Sequence, residues 1–127
     1  MRDETHSAGR ARFLALAAGI ALAALVAPGP SVFASSAERI AEGKVLATER
    51  GKGNCLACHR FDDGELPGNL GPPLLAMKLR FPDRQGLVEQ ICDATIRNPD
   101  SRMPPFCRHG ILTEHEVEVI VDYLYTL

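Results

Sequence analysis

The sequence has 127 residues, of which 46% are hydrophobic and 24% charged, with a formal net charge of -2. These values are ordinary for a soluble fold, so a wholly disordered chain, a collagen or a polytopic membrane protein is excluded. The length allows one small domain and little else.

The N-terminal segment has the pattern of a secretory signal peptide. Arginines precede an apolar and glycine run of 15 residues from Phe13 to Ala27, and Pro28-Gly29-Pro30 follows it. A membrane-spanning helix needs about 20 apolar residues, so the run fits a signal peptide better than the alternative, an uncleaved anchor. We predict cleavage after Ala34, a mature domain over residues 35–127 and a periplasmic location. No cysteine follows the cut directly, so a lipid anchor is disfavoured and no stable membrane anchor is expected after cleavage.

The predicted mature chain carries 11 Lys and Arg residues against 14 Asp and Glu residues. A net negative charge without a basic run argues against nucleic acid as a partner. A domain of this size without tryptophan has a modest core, so we expect a cofactor or a cross-link to complete it.

Capping patterns predict the first and last helices. Ser35 and Glu38 form a capping box for a helix that continues to about Glu49, and Thr113 with Glu116 begins the C-terminal helix. The apolar residues of the C-terminal helix recur at helical spacing, which predicts a buried face of Val117, Ile120, Val121 and Leu124.

A middle helix is predicted from Arg84 to Arg97, with Asp83 as its N-cap and Pro99 ending it. The rest of the mature chain is predicted to be loop, because residues 64–73 hold three glycines and three prolines and no stretch alternates as a strand does. The sequence therefore predicts an all-α fold with three main helices, whose long loops wrap a bound group. The predicted inward residues of the middle helix are Leu87, Val88, Ile91, Thr95 and Ile96.

Cys55-Leu56-Ala57-Cys58-His59 matches the C-x-x-C-H signature of covalent haem attachment. Two thiols one turn apart can each add to a vinyl group at one edge of the porphyrin, and the adjacent imidazole then faces the iron. This attachment takes place after export, which agrees with the predicted signal peptide. The sequence therefore predicts one covalent haem c held by Cys55, Cys58 and His59.

Three other interpretations of the motif are weaker. A zinc site would need a second pair of ligands at regular spacing, whereas Cys92 and Cys107 lie fifteen residues apart. A thioredoxin-like site would need flanking strands, and a disulfide between Cys55 and Cys58 would be strained.

The sixth iron ligand has four candidates. Met103 is favoured because the prolines of its Met-Pro-Pro-Phe segment stiffen a loop that can hold a thioether near the iron. Met77 lies in an apolar run over residues 74–79 that predicts a short core helix, and His115 is expected in solvent. His109 is the alternative, since neutral imidazole is also a good iron ligand.

The order of these motifs resembles that of class I c-type cytochromes. In that family a Gly-Pro segment, here matched by Pro72, offers its proline carbonyl to the second ring nitrogen of the proximal histidine. The resemblance implies His59 and Met103 as the iron ligands. It also implies that the first helix crosses the last at Gly43, against Tyr123 or Leu124.

A finer resemblance is to the SoxX family, the monohaem cytochrome subunits of periplasmic SoxAX complexes in thiosulfate-oxidising bacteria. Each segment alone is weak, but their combination covers nearly the whole mature chain. The segments are residues 54–59, 70–74, 93–95, 98–99, 103–106 and 111–113.

The SoxX resemblance implies a heterodimer with a larger SoxA-type cytochrome. That complex joins thiosulfate oxidatively to a cysteine of the SoxYZ carrier protein, as an L-cysteine S-thiosulfotransferase, with the thiosulfate site on the partner. This chain would then have no catalytic residue and would pass electrons to a small cytochrome. The alternatives are a free-standing cytochrome c that feeds a terminal oxidase and, from another class, a haem enzyme or sensor with an open sixth site.

Two cysteines depart from the SoxX pattern. Cys107 stands where that family usually has glycine, and Cys92 stands where it often has an aromatic residue. Their joint appearance indicates either a disulfide that ties the middle helix to the methionine loop or two separate thiols.

Overall fold

The computed structural model describes residues 36–62 and 64–127. Over these residues the all-α prediction is confirmed, and no strand is present. The predicted signal peptide, residues 1–34, and the predicted cap Ser35 lie outside the described residues. The elements in chain order are α1 (Ser36–Thr48), a 3-10 turn (Cys55–Ala57), α2 (Met77–Arg80), α3 (Arg84–Cys92), a second 3-10 turn (Ala94–Ile96) and α4 (Glu114–Leu124).

Helices α1 and α4 pack closely where α1 has a glycine. A Cβ atom on Gly43 would lie 2.3 Å from the carbonyl oxygen of Val119 and 2.8 Å from the Cβ of Tyr123. Such distances are far below van der Waals contact, so only glycine allows the two backbones to approach this closely. The expected crossing of Gly43 against Tyr123 is confirmed, and Val119 also takes part in it.

Helix α4 begins with the predicted capping box. The Thr113 hydroxyl accepts a hydrogen bond from the backbone N–H of Glu116 at 3.2 Å, and the Glu116 carboxylate accepts one from the backbone N–H of Thr113 at 2.8 Å. Two N–H groups at the helix start are thereby satisfied. The predicted apolar face is buried as well, with Val119 added to it: Val117, Val119, Ile120, Val121 and Leu124.

Helix α3 is shorter than predicted. Its N-cap is Asp83, as expected, but it ends at Cys92 and not at Arg97. Asp93 adopts an extended conformation and its carboxylate accepts a hydrogen bond from the backbone N–H of Thr95, which starts the second 3-10 turn. An aspartate that bonds to nearby backbone in this way competes with helix continuation. The expected burial holds for Leu87, Val88 and Ile91, whereas Ile96 is 77% exposed.

The apolar run over residues 74–79 forms less helix than its composition indicates. Helix α2 begins only at Met77, since Ala76 has a φ of 50° and lies in the left-handed region. Met77 is buried, as predicted for a core methionine, but Leu75 and Leu79 are exposed.

Asp122 of α4 connects the three longer helices. Its carboxylate pairs with Arg39 of α1 at 2.7 Å and with Arg84 of α3 at 2.6 Å. Within the described ranges, none of the helices has the length and hydrophobicity needed to span a bilayer.

Candidate functional site

The C-x-x-C-H segment forms a tight turn that carries two thiols and an imidazole. Asn54 enters it in the left-handed conformation, with a φ of 45°, and Cys55–Ala57 form the 3-10 turn. The Cys55 carbonyl accepts hydrogen bonds from the backbone N–H groups of Cys58, at 3.2 Å, and His59, at 2.8 Å. These two bonds fix the backbone of Cys58 and of His59 relative to Cys55.

The glycine- and proline-rich segment lies alongside this turn. The backbone N–H of Gly68 donates to Leu56 at 2.7 Å, and that of Gly71 donates to Cys58 at 2.9 Å. These bonds place Pro72, whose carbonyl oxygen lies 2.7 Å from Nδ1 of His59. A carbonyl can only accept, so Nδ1 carries the proton and the lone pair of Nε2 is left for a metal ion.

Gly71 makes room for the imidazole. A Cβ atom at this position would lie 2.2 Å from Cε1 and 2.5 Å from Nδ1 of the His59 ring. The ring therefore packs directly against the backbone of Gly71. A side chain here would push the imidazole off the Pro72 carbonyl.

A cavity of about 800 Å³ opens in front of the turn. It is lined by Cys55, Cys58 and His59 of the attachment segment and by Met103, which lies in the loop between the second 3-10 turn and α4. The structure thus brings the predicted cofactor-binding residues to one cavity, with Pro72 also in its lining. The rest of the lining is largely apolar and comes from several elements: Leu74, Met77, Phe81, Leu87, Ile91, Phe106, Ile111, Ile120 and Leu124.

The other candidate iron ligands differ in position. Met77 also lines the cavity and is only 2% exposed. Its Sδ lies 3.5 Å from the guanidinium of Arg80. His109 and His115 are exposed and do not line the cavity. Geometry therefore favours a methionine over either histidine as a second axial group.

The loop that carries Met103 is joined to the end of α3. Cys92 and Cys107 form a disulfide, which decides between the two alternatives that the sequence left open. Next to it, Arg108 pairs with the Asp93 carboxylate at 3.0 Å. Hydrogen bonds from the Thr95 hydroxyl and N–H, and then the charge of Arg108, hold the pKa of Asp93 below its usual value.

The electrostatics of the cavity suit a haem group. Burial raises the pKa of the Cys55 thiol to about 11, and the nearby Cys58 adds to this increase. Four cationic side chains line the cavity against one acidic residue, Asp100, which suits the two propionates of a haem.

Two thiols, an imidazole and a thioether around an apolar cavity are the donor set that a c-type haem requires. No cluster of three His, Cys, Asp or Glu residues that could hold a zinc ion occurs among the described residues.

Two contacts at the site were not found by sequence reasoning. Lys52 lines the cavity and donates to the Glu116 carboxylate at 2.6 Å, so the start of α4 is tied to the loop before Cys55. Arg80 lines the cavity and donates to the Pro73 carbonyl at 2.8 Å. Neither contact has a sequence signal, because each joins residues that are brought together only by the fold.

The sequence model of the family described as cytochrome C oxidase, cbb3-type, subunit III, matches residues 38–124. The chain belongs to this family of c-type cytochrome domains. Its fold is accordingly the predicted all-α cytochrome c fold, and the cofactor of this family is covalently attached haem c.

Among curated proteins, the chain is similar to an uncharacterized lipoprotein of Aquifex aeolicus (strain VF5), with 38% identity over 88 residues. The match covers 66% of this chain and 43% of the relative. The chain therefore spans less than half the length of the relative it matches.

Proposed function

We propose that this cytochrome is the monohaem electron-transfer subunit of a SoxAX-type complex. Cys55 and Cys58 would hold one haem c covalently, and His59 and Met103 would supply the iron ligands. The observation that carries the haem-binding part of the proposal is the cavity on which these four side chains converge, together with the bond from His59 to Pro72. The sequence contains only one C-x-x-C-H motif, which supports a single haem.

The chain's residues define what the site does. The bound haem supplies an iron that gains and loses one electron. The Pro72 carbonyl fixes the His59 ring and its tautomer. The Met103 thioether favours the reduced state and so raises the potential. Apolar side chains around the cavity keep water away from the iron.

The sulfur-oxidation assignment rests on the resemblance to SoxX. It supplies a SoxA-type cytochrome as partner, a SoxYZ-type carrier that is reached through the complex and a small cytochrome as electron acceptor. In this proposal the thiosulfate site lies on the partner, and this chain relays the electrons. No nucleic acid takes part.

The proposed location is the periplasm. Covalent haem attachment follows export, and the relative's description as a lipoprotein also favours an exported chain. The proposal includes cleavage after about Ala34 and no stable membrane anchor in the mature protein.

A second candidate function is supported by the family description. Its reference to a cbb3-type oxidase favours the alternative in which this chain, as a cytochrome c outside any SoxAX complex, delivers electrons to a terminal oxidase. Both functions use the same haem site. They differ only in the partner that binds near it.

Isolation of the native protein separates the two functions. We would purify it from its own periplasm at low salt and count haems and polypeptides in the eluted peak. The SoxAX-type proposal expects co-elution with a larger c-type cytochrome, and thiosulfate-dependent reduction of the complex. A lone monohaem protein that reduces a terminal oxidase would support the second function and reject the first.

Axial ligation is tested with three matched variants of the oxidised holoprotein. Met103→Ala is expected to remove the weak far-red absorption band of the methionine–iron bond, whereas His109→Ala and Met77→Leu are expected to retain it. Loss of the band in Met77→Leu would assign the other methionine of the cavity. A wild-type protein without the band would instead favour His109 or an open sixth site.

A further inference from the structure

The loop that carries Met103 is attached to α3 by three adjacent contacts. They are the disulfide between Cys92 and Cys107, the bond from the Cys107 N–H to the Cys92 carbonyl at 3.2 Å, and the ion pair of Asp93 with Arg108. We propose that this clamp positions the Met103 thioether and sets how often it leaves the iron. The inference rests on the proposed axial role of Met103.

The α3 side of the clamp is firmly fixed. Leu87, Val88 and Ile91 are each at most 8% exposed, and Asp83 caps the first turn with two hydrogen bonds. The ion pair of Arg84 with Asp122 lies at the other end of α3 from Cys92 and adds little to this anchoring, because both side chains are partly exposed. Cys92 therefore ends a helix that is anchored by its buried side chains and its cap.

The segment between the disulfide and the ligand is short and stiff. Only Pro104, Pro105 and Phe106 separate Met103 from Cys107, and each proline fixes its own φ angle. Phe106 is buried and its carbonyl accepts a hydrogen bond from Ile111 at 2.9 Å. A restraint on the position of Cys107 therefore also restrains the position of Met103.

The other side of the loop has weaker attachments. The Met103 N–H donates to the Ser101 hydroxyl at 3.3 Å, and the Ser101 N–H donates to the Asn98 carbonyl at 2.9 Å. Residues 96–100 are all exposed. Only two hydrogen bonds, one of them partly buried, hold this side of the loop, and such local contacts open more readily than a disulfide, so the clamp is the main restraint on the loop.

A covalent tie shortens the chain that is free to move when the methionine leaves. Without it, residues 93–112 could open as one loop between α3 and α4, and the open state would gain conformational entropy. An external ligand binds only to the open state. Its apparent affinity therefore reports the fraction of protein in which Met103 is off the iron.

The test is imidazole binding to oxidised holoprotein, followed by absorption. We compare wild type with Cys92→Ser/Cys107→Ser, with Met103→Ala as the fully open reference. Asp122→Asn is the control, because it breaks the ion pairs to Arg39 and Arg84 but leaves the clamp intact. Thiol titration of the wild type must find no free cysteine, since Cys55 and Cys58 carry the haem.

The clamp predicts that imidazole binds at least about tenfold more tightly to the double cysteine variant than to wild type, whereas Asp122→Asn binds as wild type does. If the double variant equals wild type while Met103→Ala binds more tightly, the clamp is rejected and methionine ligation stands. Equal increases in the double variant and Asp122→Asn would also reject it, because general destabilisation would explain both. Wild type that already binds like Met103→Ala would reject methionine ligation and the clamp together.

A second experiment uses the wild-type protein and so does not depend on whether the double cysteine variant folds. The disulfide of the wild-type holoprotein is reduced with a phosphine, the two thiols are alkylated with iodoacetamide and the iron is reoxidised with ferricyanide. Imidazole should then bind at least about tenfold more tightly than to untreated protein. Unchanged binding after complete alkylation would overturn the proposal.

Discussion

The helices and the cavity loops of this cytochrome are held together by different forces. Helices α1, α3 and α4 are joined by buried aliphatic side chains, by the close contact at Gly43 and by the ion pairs of Asp122. The loops over residues 49–62, 64–76 and 93–112 contribute fewer core side chains, such as Phe61, Leu74 and Phe106, and depend more on individual hydrogen bonds and one disulfide. A change in the helices should therefore lower global stability, whereas a change in the loops should first alter the surroundings of the haem.

The largest effect is expected from Gly43→Ala. The new Cβ would meet the Val119 carbonyl oxygen at 2.3 Å, and neither backbone can yield without separating α1 from α4. We expect a loss of about 3 kcal/mol in the free energy of unfolding, measured by denaturant titration of the helical signal.

The control for this variant is Gly51→Ala, where the nearest atom to a new Cβ is 4.0 Å away, at the Glu49 carboxylate. The haem spectrum of Gly43→Ala should stay native until the helices unfold. A shifted spectrum in the folded protein would show that helices and loops are not independent.

Gly71→Ala should change the haem site more than it changes global stability, in contrast to Gly43→Ala. The obstacle here is the His59 ring, which is the end of a side chain and can move, so the expected loss of stability is smaller, about 1–2 kcal/mol. The displaced ring should lose its bond to Pro72, which lowers the yield of holoprotein and changes the spectrum of what forms.

Leu66→Ala, at an exposed residue of the same segment that does not line the cavity, serves as the control for Gly71→Ala. Its spectrum and yield should match wild type. A native spectrum in Gly71→Ala would mean that the imidazole does not depend on this close contact.

The sequence predicted the helices better than it predicted the loops. Apolar spacing and capping residues located α4 and its buried face, because those signals lie within a few residues of one another. The predicted end of α3 was wrong, since hydrogen bonds from the Thr95 N–H and hydroxyl to the Asp93 carboxylate end the helix at Cys92.

The site was predictable where a motif encodes chemistry. The spacing of Cys55, Cys58 and His59 is fixed by the attachment reaction, so it can be read from sequence alone. The contact of Lys52 with Glu116 joins residues 64 positions apart and has no comparable signal. For Cys92 and Cys107 the sequence left two alternatives, a disulfide or two separate thiols. The fold decides for the disulfide because it brings the two cysteines together.

Glu116 links the two regions, and its variant tests that link. Its carboxylate caps α4 and pairs with Lys52 beside the cavity, and Lys52 with the Thr113 contacts lowers its pKa from 4.5 to about 2. A depressed acid pKa stabilises the folded state above pH 4.5, and this stabilisation is lost as the pH falls toward about 2. We expect Glu116→Gln to lose about 0.5–1 kcal/mol at neutral pH, since glutamine keeps part of the cap.

The measurement is the free energy of unfolding from pH 7 downward. The difference between wild type and Glu116→Gln should shrink below pH 4.5 and also in high salt, which screens the pair with Lys52. Glu114→Gln, in the same helical turn but exposed, is the control. A difference that is independent of pH would indicate that the lost charge plays no part.

The smallest predicted effect is a gain of stability in Ala76→Gly. Ala76 has a φ of 50°, and a left-handed conformation costs about 1–2 kcal/mol for a residue with a Cβ. Glycine removes that cost but loses about 0.5–1 kcal/mol through the greater freedom of the unfolded chain, so the expected net gain is about 0.5 kcal/mol. Ala41→Gly makes the same substitution within α1 and should instead cost about 1 kcal/mol. Opposite signs for the two variants, measured by thermal unfolding, would establish that backbone strain in the cavity loop is separate from helix propensity, whereas equal losses would refute the left-handed conformation of Ala76.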